Sequence, residues 1–172
     1  PLALSQTACR MQGWILQETR FYTGLPDRGD NAVWNHFWMA KLASMGKRGI
    51  KTYSRSLKYT NEKAILPDGT STVVRIGREK GIDIRIALDV VRMARENFYD
   101  VALIFSQDQD LSEVADEVRS ISILQNRWIK VACAFPSDPS YGNKRGIERT
   151  EWIRIDKATY DTCIDQNDYR PK

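Results

Sequence analysis

The sequence predicts an α/β fold: a three-layer α/β/α sandwich around a mainly parallel central sheet. Three observations carry this. The second half of the chain alternates strand, helix, strand, helix, strand, the order that gives right-handed parallel connections. Two of those strands, at residues 100–105 (DVALIF) and 128–135, are almost entirely apolar, as parallel strands covered on both faces must be. The length of 172 residues, with 42% hydrophobic and 28% charged side chains, suits one globular domain with a sizeable core.

The elements follow in order. Residues 2–12 have helical apolar spacing, and residues 14–22 (WILQETRFY) are a β-rich run closed by Thr23-Gly24, with Pro26-Asp27 in the turn. Asp30 or Asn31 caps the next helix, which carries Trp34, Phe37, Trp38, Lys41, Leu42 and Met45 on one stripe. That helical period points to core packing, with the aliphatic stem of Lys41 along the stripe; stacking of the rings on nucleic-acid bases is the alternative. Residues 46–49 (GKRG) end the helix. Residues 50–59 alternate as a strand, 66–70 (LPDGT) read as a hairpin turn, and 72–76 return. Helices are expected at 83–97 and 110–125, a last strand at 152–155 and a short helix at 157–163. Between them, residues 136–150 form a loop rich in Pro, Gly, Ser and basic side chains. No repeat or linker divides the chain, so a single domain over residues 1–172 is expected.

Composition excludes several classes. A disordered chain, a collagen-like chain and a disulfide scaffold are ruled out. No apolar run has the length of a transmembrane helix, and the first residues (PLALSQTACR) lack the basic start of a signal peptide. No membrane partner is expected. Cys9, Cys133 and Cys163 are scattered and form no CxxC, which reads as reduced thiols in a cytoplasmic protein. The single histidine, His36, argues against His-based metal sites and against a Ser-His-Asp triad.

Charge is unevenly spread. The net charge is +4, but residues 41–80 hold ten Lys or Arg against three acids. Residues 96–118 hold seven acids and no base. A basic stretch is a footprint for a polyanion, and a local acid cluster suits a hard cation or a solvated helix face. Together they are what a metal-dependent enzyme acting on phosphodiesters needs.

Within the acid segment, Asp108 and Asp110 lie just past the carboxyl end of the 100–105 strand, where ligands bind in parallel α/β sheets. Two charges about 4 Å apart repel by about 4 kcal/mol at an effective dielectric near 20, and a divalent cation removes that repulsion. Mg²⁺ suits a few carboxylates plus waters. Asp110 also fits a helix N-cap with Glu113 at the third helical position, whereas Asp108 has no such structural duty. Asp83, at the start of the 83–97 helix, is the third acid; it too fits an N-cap. Asp89, six positions on, points elsewhere around a regular helix and ranks behind it. An aspartyl-nucleophile phosphatase also carries Asp-x-Asp at a strand end, but Leu111 and the lack of a companion lysine motif argue against it.

Two segments, residues 79–89 (EKGIDIRIALD) and 99–111 (YDVALIFSQDQDL), resemble the NYN domain of LabA-like proteins, within the PIN-like nuclease superfamily. The resemblance extends over the order of elements from about residue 14 to 155. It implies a PIN-like three-layer fold, a Mg²⁺ or Mn²⁺ site of clustered acids, and ribonuclease activity. Carried over residue by residue, it gives Asp83, Asp108 and Asp110 as metal-holding catalytic acids, with Ser106 and Asp89 behind them. Glu151 stands near a late acidic position. Gln107 and Leu111 replace the family's usual Gly and Phe. The family's first strand, with its Asp-Gly-x-Asn motif, has no counterpart here, so the chain is expected to be N-terminally incomplete relative to the family.

The expected function is therefore hydrolysis of RNA, as a single strand, with one or two metal ions lowering the pKa of a bound water. Arg75, Arg78 and Lys80, with Lys144 and Arg145 in the late loop, would guide the RNA backbone. The alternative is a non-catalytic RNA-binding or regulatory module that lacks the first-strand carboxylate.

Overall fold

A computed structural model of the chain describes residues 1–138, 140 and 145–171. These residues form an α/β structure with parallel sheets. In chain order the elements are α1 (Leu2–Met11), β1 (Arg20–Leu25), α2 (Ala32–Lys47), β2 (Lys51–Ser56), β3 (Lys58–Ile65), β4 (Ser71–Arg78), α3 (Ile82–Arg95), β5 (Val101–Phe105), α4 (Ser112–Leu124), β6 (Lys130–Pro136), β7 (Glu151–Ile155) and α5 (Lys157–Asp161). A 3₁₀ turn, Gln109–Leu111, precedes α4. The strands lie in three small sheets, of two, two and three strands, among the described residues. Two compact units result: Pro1–Thr19 with Asp83–Gln166, and Arg20–Ile82 with Asn167–Lys172.

The first unit is built on the parallel sheet β5-β6-β7. Side chains alternate across a strand, so each apolar run feeds two cores. Ala102, Ile104, Val131, Cys133 and Phe135 pack with Ala94 of α3 and with Leu111, Val114, Val118 and Ile121. Val101, Leu103, Ala132, Ala134, Ile153 and Ile155 lie in the other core, with Leu4 and Ala8 of α1 and with Trp14. Helices thus cover both faces, which is why these strands carry no polar alternation. Tyr99, just before β5, donates its hydroxyl to Val90 O at 2.8 Å. Burial pushes its phenol well above the usual range, against the opposing pull of the Arg127 charge.

The second unit holds the parallel pair β1-β2, connected by α2, and the antiparallel hairpin β3-β4. Asn31, rather than Asp30, caps α2, its Oδ1 accepting from Trp34 N–H at 3.1 Å. In the hairpin turn, Gly69 has φ +83° and Leu66 N–H donates to Thr70 O at 2.8 Å. Asp68 Oδ1 accepts from Thr70 N–H and from its hydroxyl, at 2.9 and 2.7 Å, which lowers the Asp68 pKa.

Three differences from the sequence reading have physical causes. The first strand lies at Arg20–Leu25, later than the expected 14–22, because its ladder partner β2 begins opposite Arg20 at Lys51. Trp14 belongs instead to the first unit, in whose own core it packs. The expected single strand at 50–59 is two strands. Leu57 N–H donates to Leu25 O at 2.9 Å, and beyond it the chain leaves the parallel ladder for the antiparallel one. The expected helix at 110–125 starts later, at Ser112, since Gln109–Leu111 is wound as a 3₁₀ turn with Leu111 buried beneath it.

Candidate functional site

The turn after β5 is fixed by its own short side chains. Asp108 N–H donates to Ser106 Oγ at 3.1 Å, which fixes the backbone of the turn. Asp108 has extended backbone, φ −69° and ψ 118°, and its Oδ1 accepts from Asp110 N–H at 3.0 Å. This reverses the expected duties of the two acids: Asp108 is the cap, and α4 starts after Leu111 with no side-chain cap. Only a residue still in extended backbone can aim its carboxylate at the N–H two residues on. Asp110 already lies inside the turn. One oxygen of Asp108 and the whole Asp110 carboxylate stay outside these bonds.

Two glutamines missed as functional positions tie the late loop to this turn. Gln107 Nε2 donates to Arg145 O at 2.7 Å. Gln109 Nε2 donates to Gly146 O at 3.0 Å, and its Oε1 accepts from Glu148 N–H at 3.0 Å. No local signal marks them, since the groups they hold lie 37 to 39 positions further along the chain. Arg145 is exposed on backbone pinned beside the acidic turn. Lys144, also expected to touch RNA, lies outside the described residues.

Charge pairing separates the acids. Glu96 pairs with Arg92 at 3.3 Å, Asp100 with Arg127 at 3.0 Å, and Glu117 with Arg95 at 2.6 Å. Arg149 pairs with Glu113 at 3.7 Å and also with Asp116. Asp108 and Asp110 are exposed, and no basic side chain among the described residues lies within ion-pair distance of either. Asp83 is likewise exposed and unpaired among the described residues, in the first turn of α3. Asp108 and Asp110 share a turn. With Asp83 they do not form one compact group, since no cluster of three or more His, Cys, Asp or Glu that could hold a metal occurs among the described residues.

Asp89 is only 3% exposed. Arg85 grips it with two bonds, Nε to Oδ2 at 3.1 Å and Nη2 to Oδ1 at 2.9 Å, and Arg92 adds a third at 3.3 Å. Glu151 begins β7 and pairs with Lys130 at the amino ends of the strands, opposite to the Asp108 end.

The expected RNA-contacting arginines of the second unit are already engaged. Arg75 holds Asp30 at 2.7 Å and lies 5.0 Å from the Tyr59 ring centre. Arg78 holds Glu62 at 2.7 Å. Lys80 is exposed and makes no ion pair among the described residues. The units differ sharply in charge: the first has twelve basic and sixteen acidic side chains, net −4, and the second fourteen against six, net +8.

The fold and this turn define an α/β protein with exposed carboxylates at a strand's carboxyl end. No family model and no curated protein matches the chain. Among solved structures, a ribokinase from Giardia lamblia is similar at 11% identity and a TM-score of 0.39, over 81% of this chain and 41% of that one. At that score the likeness carries no argument, and this chain spans about two fifths of that protein's length. No helix among the described residues is long and apolar enough to cross a membrane.

Proposed function

We propose that the protein is a metal-dependent ribonuclease with a PIN-like three-layer fold, acting in the cytoplasm on single-stranded RNA. One observation carries the reading. In an acid-rich segment whose other five carboxylates are neutralised by arginines, the two left without a cation stand together at the carboxyl end of a buried parallel strand. Leaving like charges side by side is unfavourable unless something positive is to be bound.

The donor set suits Mg²⁺ or Mn²⁺: hard carboxylate oxygens, few in number, with room for water. Asp108, through the oxygen not used in the turn, and Asp110 would hold the ion; Asp83, the third acid implied by the resemblance, does not group with them among the described residues. The ion, when bound, supplies a water of lowered pKa and takes up negative charge at the phosphate. The Asp110 N–H holds the Asp108 carboxylate in place, and Ser106 Oγ holds the Asp108 backbone N–H. Arg145, on backbone fixed by Gln107, offers a guanidinium to the scissile phosphate's neighbours. Asp89, held by Arg85 and Arg92, stiffens the helix whose first turn carries Asp83. The net charge of +8 on the second unit attracts the polyanion.

The test is cleavage of labelled single-stranded RNA with Mn²⁺ or Mg²⁺ by the parent and by Asp108→Asn. Cleavage by the parent alone is expected; equal cleavage by both refutes the assignment. The second reading, a non-catalytic RNA-binding module, draws on the capping duty of Asp108, which alone accounts for an aspartate at that position. It requires salt-dependent RNA binding without cleavage at any metal concentration.

A further inference from the structure

The stripe on α2 is only half a core. Leu42 and Met45 at its C-terminal end are buried, but Trp34 is 50% exposed, and Phe37 and Trp38 are half-buried. Trp34 and Phe37 meet edge to face, 5.2 Å between ring centres, and Phe37 and Trp38 at 5.5 Å. Lys41 Nζ lies 5.2 Å from the Phe37 ring, 5.7 Å from Trp38 and 5.8 Å from Tyr169. No carboxylate pairs with it among the described residues. A lysine enclosed by rings and left without a counter-ion, in a unit of net charge +8, is an attractive partner for an anion attached to something flat.

The group now lying against it comes from the C-terminal segment. Tyr169 donates its hydroxyl to Ser44 Oγ at 3.1 Å and sets its ring edge-on to Phe37, 6.0 Å between centres. It adds a planar π-system beside a cation, which is also what a nucleobase would add.

We propose that this aromatic face of α2, with Lys41, is a stacking site for a base of single-stranded RNA, and that Tyr169 covers it as an internal stand-in. The proposal rests on the reading of RNA as the substrate and names where an unpaired base is held. A base stacks on the exposed Trp34 ring, beside the half-buried Phe37, and its phosphate pairs with Lys41. A bound strand displaces Tyr169, so the tail competes with RNA.

The experiment measures binding of the full chain to fluorescent oligoadenylate and to an abasic oligomer of equal length, by anisotropy. Tryptophan fluorescence is followed in parallel, and a melting curve checks that each variant is folded. The oligoadenylate should bind at least about tenfold tighter than the abasic strand, and Trp34→Ala should erase most of that difference, as expected for one stacked base. Lys41→Gln should weaken both strands, whereas Tyr169→Ala should tighten the oligoadenylate about threefold or more by removing the competitor. Strong RNA binding that is indifferent to bases, to Trp34 and to Tyr169 overturns this site and leaves the RNA reading intact. Binding to neither oligomer overturns both. Tight binding with all three effects but no cleavage keeps the site and favours the binding-module reading.

Discussion

Gly146→Ala probes how closely the loop after β6 is seated on the sheet. A Cβ at this position would lie 2.4 Å from Cys133 Sγ, 2.8 Å from Trp152 Cδ1 and 2.9 Å from Phe135 Cε1. None of these is the loose end of a surface chain: Cys133 is 0% and Phe135 1% exposed. Overpacking a close-packed core costs about 1–3 kcal/mol. Reduced entropy of the unfolded chain returns about 0.4–1 kcal/mol for Gly to Ala. Contacts this short with buried atoms put the cost in the upper half of that range, about 2–3 kcal/mol, so the net loss is about 1–2.6 kcal/mol, or a fall in Tm of roughly 2–10 °C for a chain of this size. Thermal unfolding followed by circular dichroism measures it. Adding Cys133→Ala removes the nearest clash, although it also takes the acceptor from Ile147 N–H, which lies 3.2 Å from the sulfur. The double variant should lose less than the two single losses combined, by about 0.5 kcal/mol or more. A Gly146→Ala protein that melts at or above the parent temperature would refute the packing described for this loop.

Other expectations follow from single groups. The Tyr99 phenol is held above its ordinary pKa near 10 by burial, so its contribution to stability is complete below that pH and is lost as pH rises beyond it. The free energy of unfolding, from denaturant curves, should fall as pH rises above about 10, by up to ~1.4 kcal/mol per pH unit, and Tyr99→Phe should flatten that fall; parallel curves would refute it. Asp108→Asn keeps an oxygen for the Asp110 N–H and should melt close to the parent, whereas Asp108→Ala should lose about 1 kcal/mol of cap energy. Asp108→Asn melting as low as the alanine variant would sink the capping geometry. RNA affinity should fall steeply with salt, log K declining by about 0.7 per phosphate contacted for each unit of log salt. A flat titration would remove the basic unit from the binding account.

Much of the fold was legible because its signals are local. Most of the DVALIF run became β5, and the hairpin turn formed at LPDGT as expected. The first strand was misplaced because a β-rich run does not name its partner; pairing with Lys51–Ser56, far along the chain, set its bounds. The capping duty went to Asp108 rather than Asp110 for a similar reason. Which acid caps depends on where the backbone stops being extended, and the burial of Leu111 decided that. Gln107 and Gln109 were illegible as site residues, since their partners, Arg145, Gly146 and Glu148, are 37 to 39 positions away.

By itself the sequence determined the α/β class, the elements with strong period, and the uneven charge. These depend on periodicity and composition, which are properties of neighbours in the chain. Tertiary structure alone decided that the strands fall into three sheets and that arginines neutralise five of seven clustered acids. It also decided that half the aromatic stripe of α2 stays open around Lys41. Those outcomes depend on which distant groups come within a few ångströms, and no local pattern encodes that distance.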